Sequence, residues 1–172
     1  MLPDHHSAAL AEITETLIPT AESALPMLRR PLAVELDKYI DSICTLIRPD
    51  LMRALMICGR TLDPAKVKEL DPLIEEARAR RETDLRALLE RLNSSEPISI
   101  AAFIEPLVVA LKAAMQVQST IKEKAELEHS DLVAMVEGDA AFRTLYHFLD
   151  VLKPVLEKVQ PRSMLSIRSK PR

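Results

Sequence analysis

Glycine is nearly missing from this chain, with two residues in 172, where the usual share of about 7 % would supply a dozen. Primed hairpin turns and phosphate-cradling loops depend on glycine, so the shortage argues against hairpin-rich sheets and nucleotide loops and for an all-α fold. Aromatic residues are equally thin, three phenylalanines and two tyrosines with no tryptophan, which leaves no stacking platform for single-stranded nucleic acid. Cysteine is limited to Cys44 and Cys58 with no CxxC spacing, and the opening MetLeuProAspHisHisSer has neither the basic nor the long apolar region of an export signal. These features predict reduced thiols in a cytoplasmic setting, the thiols buried and inert.

Apolar residues make up 48 % of the chain and charged residues 28 %, the balance of a globular protein. The length suits one domain, assigned to residues 1–160. The net charge is −3, but residues 161–172 hold Arg162, Arg168, Lys170 and Arg172 without an acid, so the preceding chain carries −7. A body of that sign repels a phosphate backbone. The basic tail is expected to be disordered and suited to an acidic partner or an anionic lipid surface.

The most apolar stretch is 98–117, IleSerIleAlaAlaPheIleGluProLeuValValAlaLeuLysAlaAlaMetGlnVal. A helix that is apolar on nearly every face belongs inside a protein, so this segment is expected to be the central helix of a bundle of six to eight. Ser99, Glu105, Pro106 and Lys112 argue against a membrane span, because charges near a bilayer centre are costly. Pro106 predicts either a start near Glu105 or a kink.

Around this segment, capping residues and prolines suggest boundaries. A first helix is expected from Ser7 to Ile18, stopped by Pro19, and a second from Pro31 to about Ile47, with Leu32, Leu36, Tyr39, Ile40, Ile43 and Ile47 sharing one face. A short helix is expected from Leu51 to Cys58 with Gly59 as its stop. Asp63-Pro64 and Asp71-Pro72 read as two helix starts, the second opening a helix to Leu92 with Leu73, Ile74, Ala77, Leu85, Leu88, Leu89 and Leu92 facing inward. On its outer face Glu76–Arg80 and Glu82–Arg86 have salt-bridge spacing. The apolar helix is expected to continue through 122–128. Ser130 then caps a short helix ended by Gly138, and Asp139 caps a last one that bends near Pro154.

Few residues suggest chemistry. Glu126-x-x-His129 has the spacing of half a di-iron carboxylate site, but its nearest companion, His147-x-x-Asp150, has the reverse order, and both read as ordinary helix surface. Asp4, His5 and His6 read as a mobile terminus. A nucleophile with its base would need Cys44 or Cys58 to meet His129 or His147 in space. No catalytic, cofactor-binding or metal residue is therefore assigned, and no cofactor.

The order LeuAlaGluIleThrGluThrLeuIleProThr at 10–20, then ValGluLeuAspLysTyrIleAspSerIle at 34–43, resembles the opening of gluconate 2-dehydrogenase subunit 3 and related small accessory subunits. The likeness covers about residues 8 to 62 and rests on an Ile-Pro step at a helix end, Ile18-Pro19, and an Ile-Asp pair in the next helix, Ile40-Asp41. It implies a non-catalytic helical partner that stabilises or escorts a flavoprotein dehydrogenase subunit. The expectation is thus a protein-interaction module, bound to a partner or to its own copy, with an exposed apolar patch. The alternative is a ligand-binding or regulatory bundle with a closed apolar pocket beside Phe103 and Met115, and an enzyme ranks third.

Overall fold

The computed structural model describes residues 8–47 and 64–159. Among these residues there is no strand, and the all-α expectation holds. Five α-helices are present among them where six to eight were expected for the chain: α1, Ile18–Ser23; α2, Leu25–Leu46; α3, Pro64–Leu92; α4, Ile100–Thr120; and α5, His129–Val159. A π-helical segment, Ile13–Leu17, leads into α1, and a 3-10 turn, Ile121–Glu123, follows α4. The short helix expected at 51–58 lies outside the described residues.

The count falls because several presumed stops lie inside helices. Pro19 stands in the first turn of α1, just after the wide π turn, and Pro26 in the first turn of α2, which begins six residues before Pro31. Pro31, Pro72, Pro106 and Pro154 are all interior to their helices. Each removes one donor from the ladder. Pro72, Pro106 and Pro154 are exposed, so water can serve the carbonyl left without a partner. Ser99, with extended backbone, starts α4 by accepting a hydrogen bond from the Ala102 amide at 3.1 Å. Past Thr120 the chain does not continue as α-helix but turns extended at Lys124 and buries Leu127.

Gly138 does not end a helix either. It lies in the middle of α5 against α4, where an added Cβ would stand 2.1 Å from the Ala114 Cβ and 3.2 Å from the Ala110 carbonyl oxygen. The glycine is there because two backbones meet, so one helix spans the region where two were expected. Further along the same antiparallel crossing, the Phe103 and Phe148 rings tilt together with centroids 5.0 Å apart. Asp131, not Ser130, completes the α5 start, accepting from the Glu128 amide at 3.0 Å and from the Lys124 ammonium at 2.8 and 2.9 Å.

The central element is α5, which packs against α2, α3 and α4, whereas α4 packs mainly on α5 and α1. This reverses the expectation for 98–117. Ile100, Ile104, Leu107, Val108, Leu111 and Ala114 form the buried stripe of α4, but Ala102, Pro106, Val109 and Ala113 face outward, and Val109 is 65 % exposed. α4 is long and apolar enough to cross a membrane, with 33 % of that span buried in the fold.

Polar contacts fix how the helices meet. Arg86 joins Asp41 on α2 at 3.0 Å, Arg80 joins Glu137 on α5, and His129 joins Glu69 at 3.2 Å. The first, with Arg29 near the end of α3, runs α2 antiparallel to α3; the other two run α3 parallel to α5. The expected Glu76–Arg80 and Glu82–Arg86 pairs form at 3.7 and 3.1 Å. The N-terminal arm clasps the α3–α4 turn from both sides. Glu22 accepts from the Ser99 hydroxyl and the Ala101 amide, both at 2.7 Å, at the positive end of α4. Arg29 donates to the carbonyls of Arg91, Leu92, Ser94 and Glu96 at the negative end of α3. Each charge meets the helix pole of opposite sign.

Candidate functional site

α2 buries one stripe and leaves large apolar residues beside it half-exposed. In its first half Leu28, Leu32 and Leu36 are wholly buried, while Met27 and Val34 are half-exposed. In its second half Ile40, Ile43 and Ile47 stay inside, but Tyr39 and Leu46 are 50 % and 54 % exposed. Such large apolar side chains at half exposure are the ones a surface helix would normally turn inward.

These two residues border a groove of about 410 Å³ between α2 and the C-terminal part of α5. Its apolar wall comes from Tyr39, Ile43 and Leu46 on one side and Val151, Pro154 and Val155 on the other. Polar groups sit around it: Glu35 and Ser42 from α2, His147, Asp150 and Lys158 from α5. Glu35 holds Lys38 at 3.0 Å, and that hydrogen bond with the carboxylate charge raises the lysine pKa. The His147 Nε2 is buried without a hydrogen-bond partner. Because the walls are helices anchored by buried residues, the groove's shape is set by the fold and not by loops.

The residues weighed from sequence scatter. His147 and Asp150 do share the groove, though as neighbours of Glu35 and Tyr39 and not as half of a metal pair. Glu126 lies in the loop before α5, while His129 is occupied with Glu69. Among the described residues no three His, Cys, Asp or Glu side chains gather closely enough to hold a metal ion. Cys44 is buried and makes no disulfide among the described residues. Burial, with the charge of Glu82 adding to it, pushes its thiol pKa up, away from the reactive thiolate. Its strongest electrostatic neighbours, Glu82 and Arg86, belong to α3, so Cys44 and His147 serve different interfaces. Asp4, His5, His6 and Cys58 lie outside the described residues.

Sequence reading missed Tyr39 and Leu46 as surface residues. Their helical spacing matches the buried stripe, and only the packing of α5 reveals that the stripe outruns its cover. Phe103, one of the two residues beside which a closed pocket was considered, lies on Phe148, and the other, Met115, is partly buried against the core. Comparison of the chain with protein-family models, with curated proteins and with solved structures finds no match.

Proposed function

We propose that the chain is a non-catalytic helical interaction module, and that the groove between α2 and α5 receives an apolar segment of a partner protein. The observation that carries this reading is the half-exposed pair Tyr39 and Leu46 on a rigid helix, continuous with an apolar wall. Exposed apolar surface of this kind is typical of contact sites. Aromatic anchors in a pre-formed cleft supply most of the binding energy at such sites, and an amphipathic segment laid into a helical groove is a common way to use them.

The finer form of the proposal is a small accessory subunit of a dehydrogenase complex. Its support is the resemblance at residues 10–20 and 34–43, and the second segment contributes Glu35, Tyr39, Ser42 and Ile43 to the groove. The test is co-purification from the native source at low salt, with mass spectrometry and light scattering. One stoichiometric dehydrogenase subunit is expected with the unaltered chain. It should be lost with Leu46→Glu, a change at a half-exposed position that leaves the melting temperature nearly unchanged. A partner-free monomer or homodimer overturns the accessory reading, and a partner retained by Leu46→Glu removes the groove from it.

A second reading draws on the groove's volume, about 410 Å³, which falls in the range of roughly 300–1,000 Å³ for small-molecule sites. Its ligand would have an apolar body and one polar group able to meet His147 or Ser42. Native mass spectrometry of the purified chain distinguishes it, since a retained small molecule of fixed mass favours this reading.

A further inference from the structure

We infer that the outer face of α4 is a self-association surface, on which a second copy of this chain lays its own α4 antiparallel about a two-fold axis beside Val109. This contact is independent of what the groove receives. Val109 is 65 % exposed, the highest value among the large apolar residues described, and Ala102, Pro106 and Ala113 lie open with it. At about 100° per residue these four fall within roughly 60° of one another, so a narrow apolar face runs along the helix, exposed to solvent.

Charge decides what fits there. Glu105 and Lys112 are the only charged residues in Ile100–Thr120; both are exposed, and neither makes an ion pair among the described residues. Seven positions separate them, two turns of helix, so they stand on the same flank of the apolar face, about 10 Å apart. A parallel copy would set Glu105 beside Glu105 and Lys112 beside Lys112. An antiparallel copy, turned about an axis between positions 108 and 109, sets each Glu105 beside the Lys112 of the other copy, forming two equivalent ion pairs. The same axis brings the two Val109 side chains together and aligns the helix dipoles in opposite directions. Such self-complementarity is what a two-fold interface requires. A helix lying on a membrane would instead carry Lys and Arg along its polar flanks, and α4 has one charge of each sign.

The contact is small. From Ala102 to Gln116 it runs about 21 Å, and one helix pair of that length falls short of the roughly 1,200 Å² buried by stable complexes, which places the dissociation constant on the order of 0.1 mM. At micromolar concentration the face is therefore open. Dimerisation also leaves the groove free. Gly138 meets α4, and His147 lines the groove. Nine positions separate them, about two and a half turns, so α4 and the groove lie on opposite sides of α5. A pair joined through α4 presents two grooves, and a partner that is itself paired gains avidity without any new contact.

Sedimentation velocity of the full chain at low salt, from micromolar to millimolar concentration, tests this. A monomer is expected at the dilute end and a majority of dimer at the concentrated end. Lys112→Glu and Glu105→Lys each set like charges at both contacts, and each should weaken association about tenfold, the scale of two exposed ion pairs turned repulsive. The double swap, Glu105→Lys with Lys112→Glu, should restore it, because every facing pair is again of opposite sign. Val109→Glu, a surface change expected to leave the far-ultraviolet circular dichroism unaltered, should keep the chain monomeric throughout. Leu46→Glu, on the groove side, should leave the dimer intact. A chain still monomeric at millimolar concentration overturns the inference. So does a dimer indifferent to Val109→Glu, one that the double swap fails to restore, or one abolished by Leu46→Glu, which would place the contact in the groove. A monomeric chain that binds phosphatidylserine vesicles, and loses them with Val109→Glu, also overturns it and gives the face to a membrane.

Discussion

Helices α4 and α5 have exchanged the roles their compositions suggest. α4 is the more apolar, yet it buries six residues along one stripe. α5 carries His129, Asp131, Glu137, Asp139 and Arg143 in its first half alone, yet it buries fourteen residues, Phe148 and Leu152 completely. The difference is the number of neighbours. α5 has α2, α3 and α4 around it, whereas α4 packs mainly on α5 and α1 and leaves its Ala102, Val109 and Ala113 side exposed. Centrality is thus a property of topology, and hydropathy alone does not rank helices by it.

The contrast can be broken most severely at Phe148. Phe148→Ala removes a fully buried ring and its contact with Phe103, and urea titration should show a loss of about 3–5 kcal/mol. Gly138→Val tests the α4–α5 crossing. The new side chain meets Ala114 and backbone on the opposite helix, so about 1–3 kcal/mol of overpacking is expected in the same titration, enough to outweigh the gain in helix propensity over glycine.

A smaller effect belongs to the start of α5. Hydrogen bonds from Lys124 and from the Glu128 amide lower the Asp131 pKa, and the Asp131 carboxylate raises that of Lys124. The aspartate's contribution is full above the usual carboxylate range and disappears as pH falls through its lowered value. The lysine's contribution is full below the usual ammonium range and disappears as pH rises through its raised value. Asp131→Asn should cost about 1 kcal/mol near neutrality, the scale of a helix cap, and flatten the acid side of a melting-temperature profile. At the other extreme Val109→Gln, on the outer face of α4, should change stability by less than about 0.5 kcal/mol. A larger loss would mean that this face is covered after all.

Much of the fold could be read in advance where amphipathic spacing was clean. The inward face of α3 from Ala77 through Leu85 and Leu88 to Leu92 is buried as expected, and so are Leu32, Leu36, Ile40 and Ile43 on α2. Misreadings cluster at Pro19, Pro31, Pro72 and Gly138, because a proline's local penalty is small beside the burial gained by extending a helix through it. A glycine's role, likewise, depends on what crosses it. The groove was half legible: His147 and Asp150 drew attention through their spacing, but what faces them from α2 is decided by tertiary packing that no local pattern encodes.

The clasp at the α3–α4 turn ties distant parts of the chain into one cooperative unit. Glu22 and Arg29 stand seven positions apart, yet the groups they hold lie 62 to 79 positions downstream. The first helices therefore act as a built-in chaperone for a later hairpin, whose ends keep unmet amides and carbonyls until the arm docks. Amide exchange across 91–102 should report on the N-terminal arm more than on the hairpin itself, and a chain cut between α2 and α3 should recover that protection only when both pieces are recombined.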